Sequence, residues 1–181
     1  MDLAQLCIRQ GTPADAPTLA VFAARTFTEA FGSDNRPEDM QAHLAASFGI
    51  PQQTKELNDP GVVTLLAHHA ETLVAYAQVR CQAPPPCVTD TRAVELHRFY
   101  VDQSAHGQGV AQRLMGAVQQ TANTFGGQHL WLSVWERNLR AIAFYMKAGF
   151  ADVGSTDFFV GTDRQRDRVL VAKVAKHMSG I

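Results

Sequence analysis

The stretch from Glu95 to Gly127 constrains the fold most. A strand candidate, Glu95 to Val101, leads through a polar, glycine-bearing segment, Asp102 to Gln108, into a helix. Val110, Leu114, Val118 and Phe125 share one face of that helix before Gly126-Gly127 stops it. The unit is strand, glycine loop, helix, and its neighbours extend the alternation. Leu130 to Val134 is a largely apolar strand, and Asn138 starts a helix whose Leu139, Ile142, Ala143 and Met146 are expected to lie together before Gly149 caps it.

Upstream, Cys7-Ile8-Arg9 is a short strand, and Thr12-Pro13-Ala14-Asp15 reads as a helix start, with Thr12 capping and Asp15 reaching back. Leu19, Ala23, Phe27 and Ala30 follow at helical spacing until Gly32 to Pro37 breaks the pattern, and a second helix runs from about Glu38 to Phe48. Val62 to Ala67 and Leu73 to Val79 read as an antiparallel hairpin, ended by Pro84-Pro85-Pro86. Two late strands, about Ala151 to Val160 and Arg168 to Val174, are expected to be joined by a charged turn at Asp163 to Asp167. The order β-α-α-β-β-β-α-β-α-β-β argues for an α/β fold with one mixed sheet and helices on both faces, rather than a sandwich or bundle.

At 181 residues the chain fits one domain, 1–181, and 46% hydrophobic residues suffice for a core burying about 70% of the unfolded chain's surface. Sixteen basic against 17 acidic side chains give a net charge of -1, which makes nucleic acid a poor partner. Cys7, Cys81 and Cys87 are an odd number without a CxxC pair, so neither a disulfide framework nor a thiolate zinc site is suggested and a reducing compartment fits. No stretch approaches the roughly 20 apolar residues that cross a bilayer, and the expectation is a soluble, cytoplasmic protein without a membrane partner.

His106-Gly107-Gln108-Gly109-Val110-Ala111 precedes a helix, so unpaired backbone N–H groups point outward there, an arrangement that binds anions. Glycine at 107 and 109 lets the backbone turn tightly and lets a phosphate approach. A glycine turn that merely caps the helix would look the same. The loop is not a Walker A loop, which needs Gly-Lys-Ser/Thr. It is not a dinucleotide fingerprint either, which needs a third glycine and an acidic residue about 20 positions on, where Gln128-His129-Leu130 stands.

Val101 followed after four residues by His106-Gly107-Gln108-Gly109-Val110-Ala111 resembles the Gln/Arg-x-x-Gly-x-Gly/Ala motif of the GNAT N-acetyltransferases, with His106 in place of the usual Gln or Arg. Asn138 to Phe150 is similar to that family's N-x-x-A-x-x-F/L-Y-x-x-x-G-F segment, and Ile8-Arg9 with Asp15 looks like its opening. The resemblance implies the GNAT fold, a twisted and mostly antiparallel mixed sheet, with acetyl-CoA as co-substrate. It implies that the amides of His106, Gly107, Gln108, Gly109, Val110 and Ala111 hold the pyrophosphate, and that Asn138 faces the pantetheine arm or the diphosphate. Asn138 also suits an N-cap, and the two roles are compatible.

The implied reaction moves an acetyl group directly to a primary amine. An alkyl amine with a pKa near 10.4 is neutral in only about one molecule in a few thousand at pH 7, so a base must take its proton. Glu95 matches the strand glutamate that serves as base in the histone-acetylating branch. His97 shares its side of the strand by alternation, opposite Leu96, Arg98 and Tyr100, and is the second candidate, with water or substrate-loop groups also open. The Val101 N–H is implied as donor to the thioester oxygen, and Tyr145 as the acid that protonates the departing sulfur. No cysteine stands beside a histidine in either motif, which favours direct transfer over a covalent enzyme intermediate.

His68, His69 and Glu71 fall in a hairpin turn without a third partner at ligand spacing, so no metal is expected. Trp131 and Trp135 are assigned to core packing. The resemblance implies an acceptor pocket built by the loop between the first two helices, Gly32 to Asp39, and by the late hairpin, Thr156 to Arg168. Asp34, Glu38, Asp39 and Asp157 are candidates for attracting a cationic amine, and Ser155 to Asp167 resembles the polyamine-acetylating branch, against which Arg164, Arg166 and Arg168 argue. The acceptor is accordingly expected to be a small amine or polyamine. A peptide or protein amine and a catalytically silent acyl-CoA-binding sensor are the alternatives, and a homodimer is compatible with the sequence.

Overall fold

The computed structural model describes residues 2–175. The first helix grows from its cap: Thr12 N–H donates to Asp15 Oδ2 at 2.8 Å, Pro13 opens a 3-10 turn, and Arg9 pairs with the same carboxylate. Helix α1 (Ala16–Phe31) follows and buries Leu19, Ala23 and Phe27, whereas Ala30, on the same spacing, is exposed. Helices α2 (Pro37–Phe48) and α3 (Ile50–Asn58) complete one layer.

Helix α3 has no counterpart in the sequence reading, and its chemistry explains the omission. Its buried residue is Gln53, which donates to the Ser47 carbonyl at 3.0 Å, and Glu56 turns inward to Arg98 and Gln78. A helix seated on hydrogen bonds and an ion pair leaves no apolar period to detect.

Seven strands form one sheet in the order β1-β2-β3-β4-β5-β7-β6, comprising β1 (Leu6–Gln10), β2 (Val62–His69), β3 (Thr72–Arg80), β4 (Ala93–Val101), β5 (His129–Trp135), β6 (Ala151–Val160) and β7 (Asp163–Lys173). Among the described residues only β4 and β5 run parallel, because helix α4 (Val110–Thr124) carries the chain back between them. One face of the sheet packs α4 and helix α5 (Leu139–Lys147) around Leu114, Val118, Leu130, Leu132 and Leu170. The other packs α1 to α3 around Leu19, Phe27, Phe48, Leu66 and Tyr76. Among the described residues no helix is long and apolar enough to cross a membrane.

Three local expectations change. The late turn is Gly161-Thr162, not Asp163 to Asp167. Those residues open β7, with Arg164, Arg166 and Arg168 exposed, Gln165 half-buried and Asp167 buried between them, and Val169 buried next, which is strand alternation. Helix α5 buries Tyr145 and half-buries Ile142 and Phe144, while Leu139, Ala143 and Met146 face outward. His68 and His69 end β2 rather than occupying its turn, and among the described residues no cluster of three or more His, Cys, Asp or Glu side chains is placed to hold a metal ion.

Candidate active site

The parallel ladder between β4 and β5 is short. Ala93, Val94 and Glu95 pair with His129, Leu130 and Trp131, and beyond Glu95 the strands diverge. A cavity of about 470 Å³ opens in that gap. Ladder alternation decides which groups face it. Asp102 N–H donates to the Val74 carbonyl at 2.9 Å, so on the β3–β4 ladder the Tyr100–Tyr76 pair exchanges hydrogen bonds and the Val101–Ala75 pair does not. The Val101 N–H and C=O therefore point away from β3 into the gap, where the carbonyl meets His106 Nε2 at 3.0 Å.

The glycine loop forms one end of the cavity. Gly107 and Gly109 have φ of +72° and +85°, and Gly109 is the N-cap of α4, whose first N–H groups lack intrahelical acceptors. The two glycines differ. No atom of the described residues lies within 4 Å of where a Cβ on Gly107 would sit, whereas one on Gly109 would come within 2.8 Å of Leu3 Cδ1. Gly107 thus keeps the approach to the loop open, and Gly109 is also a packing site. His106 links this end to α5: with Nε2 donating to Val101, Nδ1 accepts from Arg140 at 3.1 Å. His106, Gly107, Gly109 and Ala111 line the cavity. Gln108 and Val110 do not: the Gln108 amide turns back to the Ser104 carbonyl, and the Val110 side chain is fully buried in the core.

Tyr145 and Asn138 line the cavity from α5. Asn138 is the N-cap, its Oδ1 accepting from Ala141 N–H at 3.2 Å, which leaves its amide hydrogens free to face outward. Burial raises the Tyr145 phenol well above its ordinary pKa, so it stays protonated through the neutral range.

Glu95 and His97 lie together, Nδ1 to Oε1 at 3.4 Å, but strand alternation is not what joins them. Gln78 pairs with Arg98 and Val79 with Leu96, so His97 is the extra residue of a bulge. The bulge moves Leu96 into the α4 cluster and sets Glu95 on the face that also carries Arg98 and Tyr100, correcting the assignment made from alternation. Glu95 is held by the Arg80 guanidinium, whose NH2 group is 3.2 Å from Oε1. Burial would raise this carboxyl, yet hydrogen bonds from His97 and Arg80 outweigh it and hold it below the ordinary value. Burial, helped by the Arg98 and Arg80 charges, keeps His97 below its ordinary value and hence neutral at pH 7.

Of the two segments that the resemblance implies for the acceptor, the late hairpin reaches the other end of the cavity through Phe158, Val160, Gln165 and Asp167, whereas no residue of Gly32 to Asp39 lines it. Phe27, Phe31, Trp135, Phe158 and Val160 wall it, so Trp135 is not a core residue, whereas Trp131 packs in a buried cluster with Val88, Ala93 and Val169. Asp39 instead fastens α2 to the β6–β7 turn, accepting from Thr162 N–H at 2.7 Å and its hydroxyl at 2.9 Å, and Asp157 is paired with Arg164 on the surface. Neither lines the cavity. Asp167 does, and it is 5% exposed.

The acetyltransferase (GNAT) family profile matches residues 23–150, which run from α1 through α5. The chain belongs to the GNAT family. It is 34% identical over 160 residues to an uncharacterized N-acetyltransferase of Mycobacterium tuberculosis, covering 88% of this chain and 98% of that protein. A shorter match, 33% identical over 66 residues, reaches a spermine/spermidine N(1)-acetyltransferase of Bacillus subtilis and covers 36% of this chain and 43% of that one. The fold is that of the PaiA N-acetyltransferase of Thermoplasma acidophilum, solved in complex with coenzyme A, at a TM-score of 0.75 and 17% identity over 93% of this chain and 98% of that one. As a GNAT N-acetyltransferase the protein takes its acyl group from acetyl-CoA. The open backbone at Gly107, the free N–H groups at the start of α4 and the gap beside Val101 suit that donor.

Proposed function

We propose that the protein is a single N-acetyltransferase domain that moves an acetyl group directly from acetyl-CoA to a primary amine of a small molecule or polyamine. The observation that carries this reading is the β4–β5 gap, on which the glycine loop, the outward edge of Val101, Tyr145 and the Glu95–His97 pair all open. The partial likeness to a polyamine acetyltransferase supports an amine acceptor.

In this reading the amides of Gly107 to Ala111 hold the pyrophosphate, and the Val101 N–H donates to the thioester oxygen as charge builds there. His97 takes the amine proton. With Nδ1–H given to Glu95, its Nε2 lone pair is free, and burial keeps the ring neutral. Glu95, held below its ordinary pKa by two donors, is the weaker base and serves to orient the imidazole. Tyr145 gives its hydroxyl hydrogen to the sulfur as the carbon–sulfur bond breaks, and water returns the His97 proton to the phenolate, so the amide and free thiol are the net products.

Thiol release from acetyl-CoA across a panel of alkylamines, polyamines and lysine peptides tests the proposal. Turnover is expected with the small amines. A melting temperature raised by CoA without thiol release above background would instead identify an acyl-CoA-binding module.

A further inference from the structure

Asp167 is a buried carboxylate that the reaction above leaves without a task. It sits on β7 opposite Trp135 of β5 and Thr156 of β6, lines the cavity, is 5% exposed, and its Oδ1 has no hydrogen-bond partner among the described residues. Removing a carboxylate from water without pairing it is costly, so such a group survives where something occupies the vacancy or where its charge is needed. Burial pushes its carboxyl up to about 6, the Ser133 hydroxyl opposing that shift and Glu136 adding to it.

The other charged side chains of the lining are spoken for. Glu95 is held by Arg80 and His97, Arg98 by Glu56, Glu29 by Arg25, and Arg140 by His106. The cavity therefore offers a cation one unpaired carboxylate, set among the aromatic walls of Phe27, Phe31, Trp135 and Phe158. Arg164, Arg166 and Arg168 stand on the outward face of the same strand, where further positive charge would be repelled.

We propose that Asp167 is the acceptor-binding carboxylate, and that the acceptor is a primary monoamine with an apolar or aromatic body rather than a polyamine. The inference rests on the amine-acetylation reading and narrows it. One carboxylate matches one ammonium, which binds as the cation and reacts as the neutral amine once His97 has taken its proton. The aromatic walls supply apolar contact to the body of the ligand and cation–π attraction to its ammonium, and a chain of three or four ammonium groups would find no further carboxylate there.

Initial-rate kinetics with 2-phenylethylamine, hexylamine and spermidine, on the wild-type protein and on Asp167→Asn and Asp167→Glu, test it. Wild type is expected to prefer the two monoamines in kcat/KM. Asp167→Asn should raise the monoamine KM about 10- to 100-fold, the range for losing a hydrogen bond to a charged group, with the acetyl-CoA KM unchanged and partial recovery in Asp167→Glu. Calorimetric binding of CoA to each variant reports an intact donor end. Unchanged monoamine KM in Asp167→Asn, or a preference for spermidine, overturns the inference while leaving amine acetylation standing. If wild type binds CoA but releases thiol with no amine, the underlying reading has failed and the inference goes with it.

Discussion

The two ends of the cavity are built by different means. The donor end is mostly backbone: Val101 to Ala111 is eleven consecutive residues, and its chemistry resides in N–H groups exposed by two positive-φ glycines and a helix start. The acceptor end is side chains gathered from α1, β3, β4, β5, β6 and β7, spanning Phe27 to Asp167. A backbone site tolerates changes of side chain, as the His106 departure illustrates, and it belongs to a donor shared across a family. A side-chain site can be rebuilt one residue at a time, and it belongs to an acceptor that need not be shared.

The comparison breaks most visibly where the two ends meet. Tyr145→Phe keeps the ring and removes the hydroxyl, so kcat should fall about 10²- to 10⁴-fold while the acetyl-CoA KM moves little. A variant with wild-type kcat in a chemistry-limited assay would remove Tyr145 from the reaction. His97→Gln should lower kcat/KM for the amine about 10²-fold near pH 7, and the deficit should shrink toward pH 10, where the amine is already neutral. A deficit constant across that range would mean His97 is not the base. Glu95→Gln is the less clean probe because it also strips Arg80 of its partner.

Stability separates the two ends further. The Asp167 pKa is raised from 3.8 to about 6, so ionising it costs the folded state nothing below about pH 4, a growing amount up to pH 6, and a constant amount above, at most about 3 kcal/mol. Asp167→Asn should therefore raise the melting temperature of the ligand-free protein at pH 7.5 and leave it unchanged at pH 4. Equal effects at both pH values would contradict the burial account. At the donor end Gly107→Ala meets no neighbour and tests backbone conformation alone, with a cost of about 1–2 kcal/mol for a left-handed residue, read as weaker CoA binding. Gly109→Ala adds a clash with Leu3 and should lower the melting temperature as well.

The same contrast governs what the sequence revealed. The strand–glycine loop–helix unit and the Asn138 to Phe150 segment are contiguous, so their periods and punctuation were readable, and the residues proposed there reach one cavity, Gln108 and Val110 excepted. Helix α3 was invisible because it is held by Gln53 and Glu56 rather than by an apolar stripe. The bulge at His97 brings Arg98 and Tyr100 to the face of Glu95, against the alternation, and leaves Leu96 opposite it, since one inserted residue flips every side chain beyond it. Charge density marks Asp163 to Asp167 as a turn, yet the alternation of Arg164, Arg166 and Arg168 with Gln165, Asp167 and Val169 carries the period-two signal of a strand. The partnerless oxygen of Asp167 depends on β5, β6 and β7 meeting, which no local pattern encodes.

That donor and acceptor meet in one cavity is the central claim, and the initial-velocity pattern tests it most directly. Varying acetyl-CoA at several fixed concentrations of a productive monoamine should give intersecting double-reciprocal lines, and intact mass after incubation with acetyl-CoA alone should match the unmodified chain. Parallel lines, together with a stable acetylated protein that passes its acetyl group to amine, would show that the two substrates react in turn through the enzyme and would contradict direct transfer across the β4–β5 gap.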